Sequence, residues 1–360
     1  MKPTQTLQAA GQSLWLDNIT RGMLHSGELA RYLDDYTVTG LTSNPSIFEN
    51  AFTTTSDYDA AIAEGAAAGR SGEELFFDLA LEDLQGAAEV FAGVHAATDG
   101  VDGWVSLEVS PLLAYDAAST VDAAVDLHHR AQRSNLFIKI PGTPEGLPAI
   151  EEAIFRGVPV NVTLLFSVHD YLAAAQAYLR GIERRIEVGL DPRIGSVASV
   201  FMSRWDTAVA ATAPQDLRNR LGLAIGQQVF RAYTQQLAGE RFQMAATAGA
   251  RPQRLLFAST STKDPLAPDT LYVSGLAAPG TVNTLPDATL KAFADHGTLE
   301  GVLAGDGGDS EQVLAAFAAT GIDVDQVGRS LQTEGAAAFV RSWHGLLGVI
   351  EGRSAILRGA

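Results

Sequence analysis

Short apolar runs separated by polar breaks recur at 13–17, 37–41, 104–109, 136–140, 158–163, 196–201 and 254–259, and Thr270-Leu271-Tyr272-Val273 reads as one more strand. Runs of this length, apolar throughout rather than alternating, are expected of strands buried on both faces. The segments between them have the other periodicity. Residues 27–33, 118–132, 144–155 and 217–237 space their apolar positions as helices do, and the Ala- and Glu-rich region 58–94 is helical with a break between Gly69 and Gly72. Ser167 and Asp170 form a capping box, and Val168, Tyr171, Leu172, Ala175, Leu179, Ile182 and Ile186 share one face of the helix it opens. The tail from 309 to 350 is helical again, with Val327, Leu331, Phe339, Trp343, Leu346 and Leu347 as its expected buried face.

Strand therefore alternates with helix about eight times, which builds a parallel sheet with right-handed crossovers. Eight units favour a closed (β/α)₈ TIM barrel, an α/β fold, with additional helices at the termini; an open, doubly wound sheet is the competing architecture. No Pro- or Ser-rich linker divides residues 1–360, so one domain is expected, with a C-terminal helical extension over about 309–360.

One residue breaks the apolar pattern. The strand at 136–140 is stopped by Pro141-Gly142, and Lys139 stands just before the stop. Desolvation favours the neutral, nucleophilic form of an amine. A neutral amine at the C-terminal end of a barrel strand is what Schiff-base chemistry on a ketone or aldehyde requires. A strand-end lysine that reaches back into water is the plainer explanation, and the other polar residues weigh against it. Asp17, Asn44, Glu108, Asn161 with Thr163, Ser199 and Ser259 fall at or just after the ends of the other strands, on the rim where catalytic residues of a barrel collect. Any one of them suits a helix cap, a turn or a structural ion pair. Their convergence on one rim does not.

Composition narrows the chemistry. The chain is 46% hydrophobic and 19% charged and has no cysteine, which excludes disulfides, thiolate metal sites and a cysteine nucleophile and suits a reducing cytoplasm. The start, Met1-Lys2-Pro3-Thr4-Gln5-Thr6, lacks the apolar core of a signal peptide, and no apolar run reaches membrane-spanning length. The expected location is therefore the cytoplasm. A net charge of −17, with a pI of about 4.7, repels nucleic acid and anionic membranes. It also repels phosphorylated metabolites, so a phosphate substrate needs a local cationic cluster. Arg204, after the 196–201 strand, and Lys263, after the 254–259 strand, are the candidates. No phosphate loop, dinucleotide fingerprint, zinc-protease motif or nucleophile elbow is present. His128 and His129, adjacent on a predicted helix, point apart and make a poor metal site.

Four stretches now come together. Gly40-Leu41-Thr42-Ser43-Asn44-Pro45-Ser46-Ile47-Phe48, Ser106-Leu107-Glu108-Val109, Ile138-Lys139-Ile140-Pro141-Gly142-Thr143 and Asn161-Val162-Thr163-Leu164-Leu165-Phe166-Ser167 resemble, in order, the transaldolase signatures. The resemblance runs from Trp15-Leu16-Asp17 to Thr281-Val282-Asn283-Thr284 and on into the tail, and is strongest to the longer bacterial members of that family. It implies a (β/α)₈ barrel that uses no metal and no organic cofactor. The activity it implies is transfer of a dihydroxyacetone unit from sedoheptulose 7-phosphate or fructose 6-phosphate to glyceraldehyde 3-phosphate or erythrose 4-phosphate, in the non-oxidative pentose phosphate pathway. By the same resemblance Lys139 is the Schiff-base lysine, Asp17 the proton-transferring aspartate, and Glu108 with Thr163 the pair that positions a catalytic water. Asn44 and Asn161, with Thr42 and Ser106 nearby, hold the dihydroxyacetone hydroxyls. Ser199 and Arg204 match one phosphate-side segment. The other departs from the commoner Ser-x-Arg pattern, reading Ser259-Thr260-Ser261-Thr262-Lys263, so Lys263 takes the phosphate role by position only. Two rivals are an aldolase of the same superfamily that releases free dihydroxyacetone, and a silent barrel that only binds sugar phosphates. The aldolase-like relatives tend to carry Gln in place of Glu108 and Tyr in place of Phe201, so both residues favour transfer. The expected partners are small sugar phosphates, and the chain is expected to be a monomer or homodimer.

Overall fold

Strands covered outside by helices and inside by one another must be apolar along their whole length. In the computed structural model, which describes residues 2–359, every strand residue except Ser13 is buried. The strands are β1 (Ser13–Leu16), β2 (Val38–Leu41), β3 (Val105–Glu108), β4 (Leu136–Pro141), β5 (Val160–Leu165), β6 (Ser196–Phe201), β7 (Arg254–Ala258) and β8 (Val282–Leu285). They form one sheet in the order β2-β1-β8-β7-β6-β5-β4-β3, with every ladder parallel. Its two edges meet through bonds from Leu41 N to Trp104 O (2.9 Å) and from Gly103 N to Thr39 O (3.0 Å). The result is the (β/α)₈ barrel that the alternating pattern predicts. At the seam a Cβ on Gly40 would lie 2.6 Å from Trp104 O and 2.8 Å from Trp15 Nε1, so strands can approach this closely only around a glycine.

Two expectations need correction. Residues 270–273 are not a strand: Thr270 leads into a short helix, Leu271–Gly275, and the eighth strand is β8. Three apolar residues behind Pro268-Asp269-Thr270 suit a helix entry equally well, and Asn283 and Thr284 disguise β8 as polar. Leu172 is exposed, at the margin of the otherwise inward face of the helix Val168–Glu187.

The N-terminal end of the barrel is tied by a buried polar cluster. Asp102 accepts hydrogen bonds from Ser13 Oγ (2.5 Å), Trp15 Nε1 (2.7 Å), Thr39 Oγ1 (2.9 Å) and Gly103 N (3.0 Å). Arg254 stands 3.9 Å from the same carboxylate and donates to Ser13 Oγ and to the carbonyls of Val101, Gly280 and Thr281.

At the opposite end the tail folds as two helices, Ser310–Ala319 and Val324–Gly359, separated by a turn in which Gly321 has φ +85°. The second crosses the C-terminal rim. Gln332 Nε2 donates to the carbonyls of Gly142 (3.2 Å) and Leu164 (3.0 Å), and the hydroxyls of Ser342 and Ser46 lie 2.8 Å apart. Leu164 offers its carbonyl because β5 shifts register between Val162 and Leu165 and Leu164 adopts φ +59°. Leu331, Phe339, Trp343 and Leu346 are buried, and Val327 and Leu347 pack partly against the core, as their spacing predicts. Among the described residues no helix is long and apolar enough to cross a membrane.

Candidate active site

Lys139 sits in β4 in register with Glu108 of β3 on one side and Asn161 of β5 on the other. Lys139 lines a cavity of about 220 Å³ that Phe339 of the C-terminal helix also lines. Lys139 is only 5% exposed, and its Nζ lies 3.4 Å from Glu108 Oε2 and 3.2 Å from the carbonyl of Ser43, to which it donates. Burial pushes the Glu108 carboxyl up to about 7, against the opposing pull of Lys139. Apart from the lysine, neither Glu108 oxygen has a partner, and the Thr163 hydroxyl is likewise buried and unpartnered. Buried polar atoms without protein partners are uncommon and mark places where water or substrate is held.

Asp17, just past β1, lines the same cavity and accepts from Thr42 Oγ1 at 2.7 Å. Burial raises its carboxyl above the usual range, with Lys139 and Thr42 opposing. Thr42 Oγ1 also meets Thr284 Oγ1 at 2.7 Å, joining β1, β2 and β8 below the rim. On the other side Ser199 Oγ donates to Asn161 Oδ1 (2.7 Å), and Asn161 Nδ2 donates to Ser106 Oγ (3.1 Å). These three residues lie within their strands rather than at the strand ends where the sequence alone sets Ser199 and Asn161. Asn44 caps the helix Pro45–Thr54 through Oδ1, which accepts from Ile47 N at 3.1 Å, and it also lines the cavity. Capping and a place in the site are therefore not exclusive.

The cations stand at the mouth. Arg204 opens the helix Ser203–Val209 with its guanidinium 5.2 Å from the Phe201 ring, and partial burial lowers its pKa from the usual value. Lys263 is exposed, donates to Ser261 Oγ at 2.5 Å and reaches the cavity wall. Among the described residues neither cation is paired with a carboxylate, although most arginines of this chain are. Ser259, in the left-handed region at φ +53°, bonds the Ser203 hydroxyl at 3.0 Å and holds the β6 and β7 loops together there.

Of the sequence-predicted site residues, Asp17, Thr42, Asn44, Lys139, Ser199, Phe201, Arg204, Ser259 and Lys263 line one cavity. Glu108, Asn161 and Ser106 join it through contacts with Lys139 and Ser199, and Thr163 is buried with no bonded partner. Four participants escape sequence reading. The Ser43 contribution is a backbone carbonyl, Thr284 sits in β8, the strand hidden by its polar residues, Ser261 looks like loop chemistry, and Phe339 is indistinguishable from a core residue of an amphipathic helix. A larger neighbouring cavity, about 320 Å³, shares Lys263 but holds less free chemistry. Its Asp206 is already saturated by Leu221 N, Gly222 N and Tyr272 OH.

Residues 14–350 match the family model described as Transaldolase/Fructose-6-phosphate aldolase. Relatives named transaldolase include one from Arthrobacter sp. (strain FB24), 45% identical with 99% of each chain covered. Others come from Saccharopolyspora erythraea, at 44% identity over 95% of each chain, and Thermobifida fusca, at 45% over 96% of each.

Proposed function

We infer that this chain, which belongs to the transaldolase/fructose-6-phosphate aldolase family, is a transaldolase, an enzyme that moves a dihydroxyacetone unit between sugar phosphates through an imine on Lys139. The observation that carries this reading is a single buried lysine amine, 3.4 Å from a carboxyl group poised near neutrality, in a polar cavity with unpaired cations at its mouth.

Lys139 adds to the ketose carbonyl, and the carbinolamine loses water with Glu108 acting as acid and base through a water held between its carboxyl group and Thr163. A carboxyl that titrates near 7 exchanges protons in both directions at neutral pH. Asp17 takes the C4 hydroxyl proton as the C3–C4 bond breaks, and the iminium nitrogen receives the electron pair. Asn44, Asn161, Thr42 and Ser106 hold the hydroxyls of the three-carbon fragment. Ser199 and Ser259 shape the floor and mouth, and Phe201 supports Arg204. Arg204 and Lys263 bind the phosphate of donor and acceptor, local positive charge that a chain of net charge −17 must supply. Such substrates belong to the non-oxidative pentose phosphate pathway in the cytoplasm. The whole chain acts as one barrel domain with its C-terminal extension, as monomer or homodimer.

The family also includes fructose 6-phosphate aldolases, which release dihydroxyacetone. Glu108, Phe201 and the transaldolase names of the relatives support transfer. Incubation with fructose 6-phosphate and borohydride, followed by peptide mass spectrometry, tests the core of the reading. A reduced adduct on Lys139 is expected, and labelling of another lysine would refute it.

A further inference from the structure

Phe339 reaches the cavity from outside the barrel. It is 5% exposed, and its ring centre lies 5.9 Å from Lys139 Nζ. The polar residues Asp17, Thr42, Asn44 and Ser199 line the same cavity. Phe201, the other aromatic there, is engaged beneath Arg204. The helix carrying Phe339 is anchored on both sides of it, by Gln332 on the Gly142 and Leu164 carbonyls and by Ser342 on Ser46. Gly345, farther along, faces the Glu49 carboxylate. The ring is a fixed roof over the amine.

We propose that Phe339 determines whether the three-carbon fragment on Lys139 is transferred or lost to water, an inference that rests on the Schiff-base reading above. After cleavage the fragment is an enamine. Its nucleophilic carbon can form a C–C bond with an incoming aldehyde, whose oxygen takes the proton. Alternatively the same carbon takes a proton from water and the adduct reverts to the iminium. Water then adds to the iminium carbon, the C–N bond breaks, and dihydroxyacetone leaves with the lysine amine restored, for a net consumption of one water. An apolar ring above the nitrogen keeps water from that side. Its face also stabilises the cationic iminium while an acceptor arrives.

The test uses the full chain with fructose 6-phosphate, with and without erythrose 4-phosphate, and reads the ratio of dihydroxyacetone released to dihydroxyacetone transferred. Phe339→Ala should raise that ratio about tenfold by admitting water, with Lys139 still labelled by borohydride. Phe339→Met and Phe339→Gln, similar in length and opposite in polarity, serve if the alanine variant does not fold, and only the glutamine variant should raise the ratio. A labelled variant with an unchanged ratio, or equal ratios in the methionine and glutamine variants, overturns the proposal alone. Absence of labelling in the unmodified protein overturns the Schiff-base reading, and this proposal with it.

Discussion

Asp102 and Glu108 flank the same strand, β3, one at each end of the barrel. Both are buried carboxylates facing a cation, Lys139 of the adjacent β4 for Glu108 and Arg254 of the more distant β7 for Asp102. Asp102 receives four hydrogen bonds, and its cation, Arg254, is itself bonded to three carbonyls and a hydroxyl. Glu108 has only Lys139, at 3.4 Å, and that amine's one further bond is to the Ser43 carbonyl. A buried charge with all its partners is a structural joint. One left short of partners has free coordination to offer a substrate, and burial then sets its proton affinity instead of locking its charge. The fold places the two kinds of site at opposite ends of one strand, so chemistry at the rim need not disturb the joint at the base.

The comparison breaks most visibly at the lysine. Lys139→Arg should abolish turnover, because a guanidinium keeps its proton and forms no imine, while the thermal melt stays near that of the unmodified chain. A sharp loss of stability with the activity loss would mean that the rim pair is structural too.

Asp102→Ala should do the reverse. Four donors and Arg254 lose their acceptor, which costs about 3–5 kcal/mol in denaturant unfolding. kcat per folded molecule should hardly change. Equal damage to activity and stability would erase the distinction between the two ends.

Arg204→Ala sharpens the reading of the rim. Loss of a charge-assisted phosphate contact of about 1.5–3 kcal/mol should lower kcat/KM for fructose 6-phosphate roughly ten- to a hundredfold. The weak cleavage of unphosphorylated fructose should stay nearly constant. Equal loss on both sugars would remove Arg204 from the phosphate site. Lys263→Ala, measured in the same way, tests the less usual anchor.

The smallest effect is on pH dependence. The Glu108 carboxyl is raised from its ordinary 4.5 to about 7, so the folded state holds an extra proton between those values. This group's contribution to stability therefore falls as pH rises through that window. Glu108→Gln has no such proton to lose and should gain on the unmodified chain between pH 4.5 and 7, by about 2–4 °C in relative Tm. A constant gap across that range would place the titration elsewhere.

Much of this was legible because barrel chemistry is written into short strands. An amine just before a Pro-Gly stop and carboxylates and amides near other strand ends suffice to outline the rim. β8 was hidden because Asn283 and Thr284, the second of which lines the cavity, make it polar, while Leu271-Tyr272-Val273 mimics a strand inside a helix. The tail shows a different limit. Its periodicity correctly marks Leu331, Phe339, Trp343 and Leu346 as buried, but an amphipathic stripe says nothing of what it is buried against. Only the folded chain shows that one of those residues covers a lysine while its neighbours cover core. That Asn161 and Ser199 lie within their strands was likewise invisible, since strand composition fixes which face a residue takes more readily than where the strand ends.

The seam between β2 and β3 carries a further consequence. Elsewhere each pair of neighbouring strands shares a parallel ladder, whereas here two backbone hydrogen bonds, the Ser43 hydroxyl on the Ser106 carbonyl and the Thr39–Asp102 contact span the gap. Local opening begins where the fewest bonds must break together, so the cylinder has a built-in place to unzip. The amides of Leu41 and Gly103 would be the first in the strand layer to trade their protons for deuterium. During folding the long excursion from β2 to β3 brings this pair together late, so the final act of assembly would be the fastening of Trp104 and Asp102 across the gap.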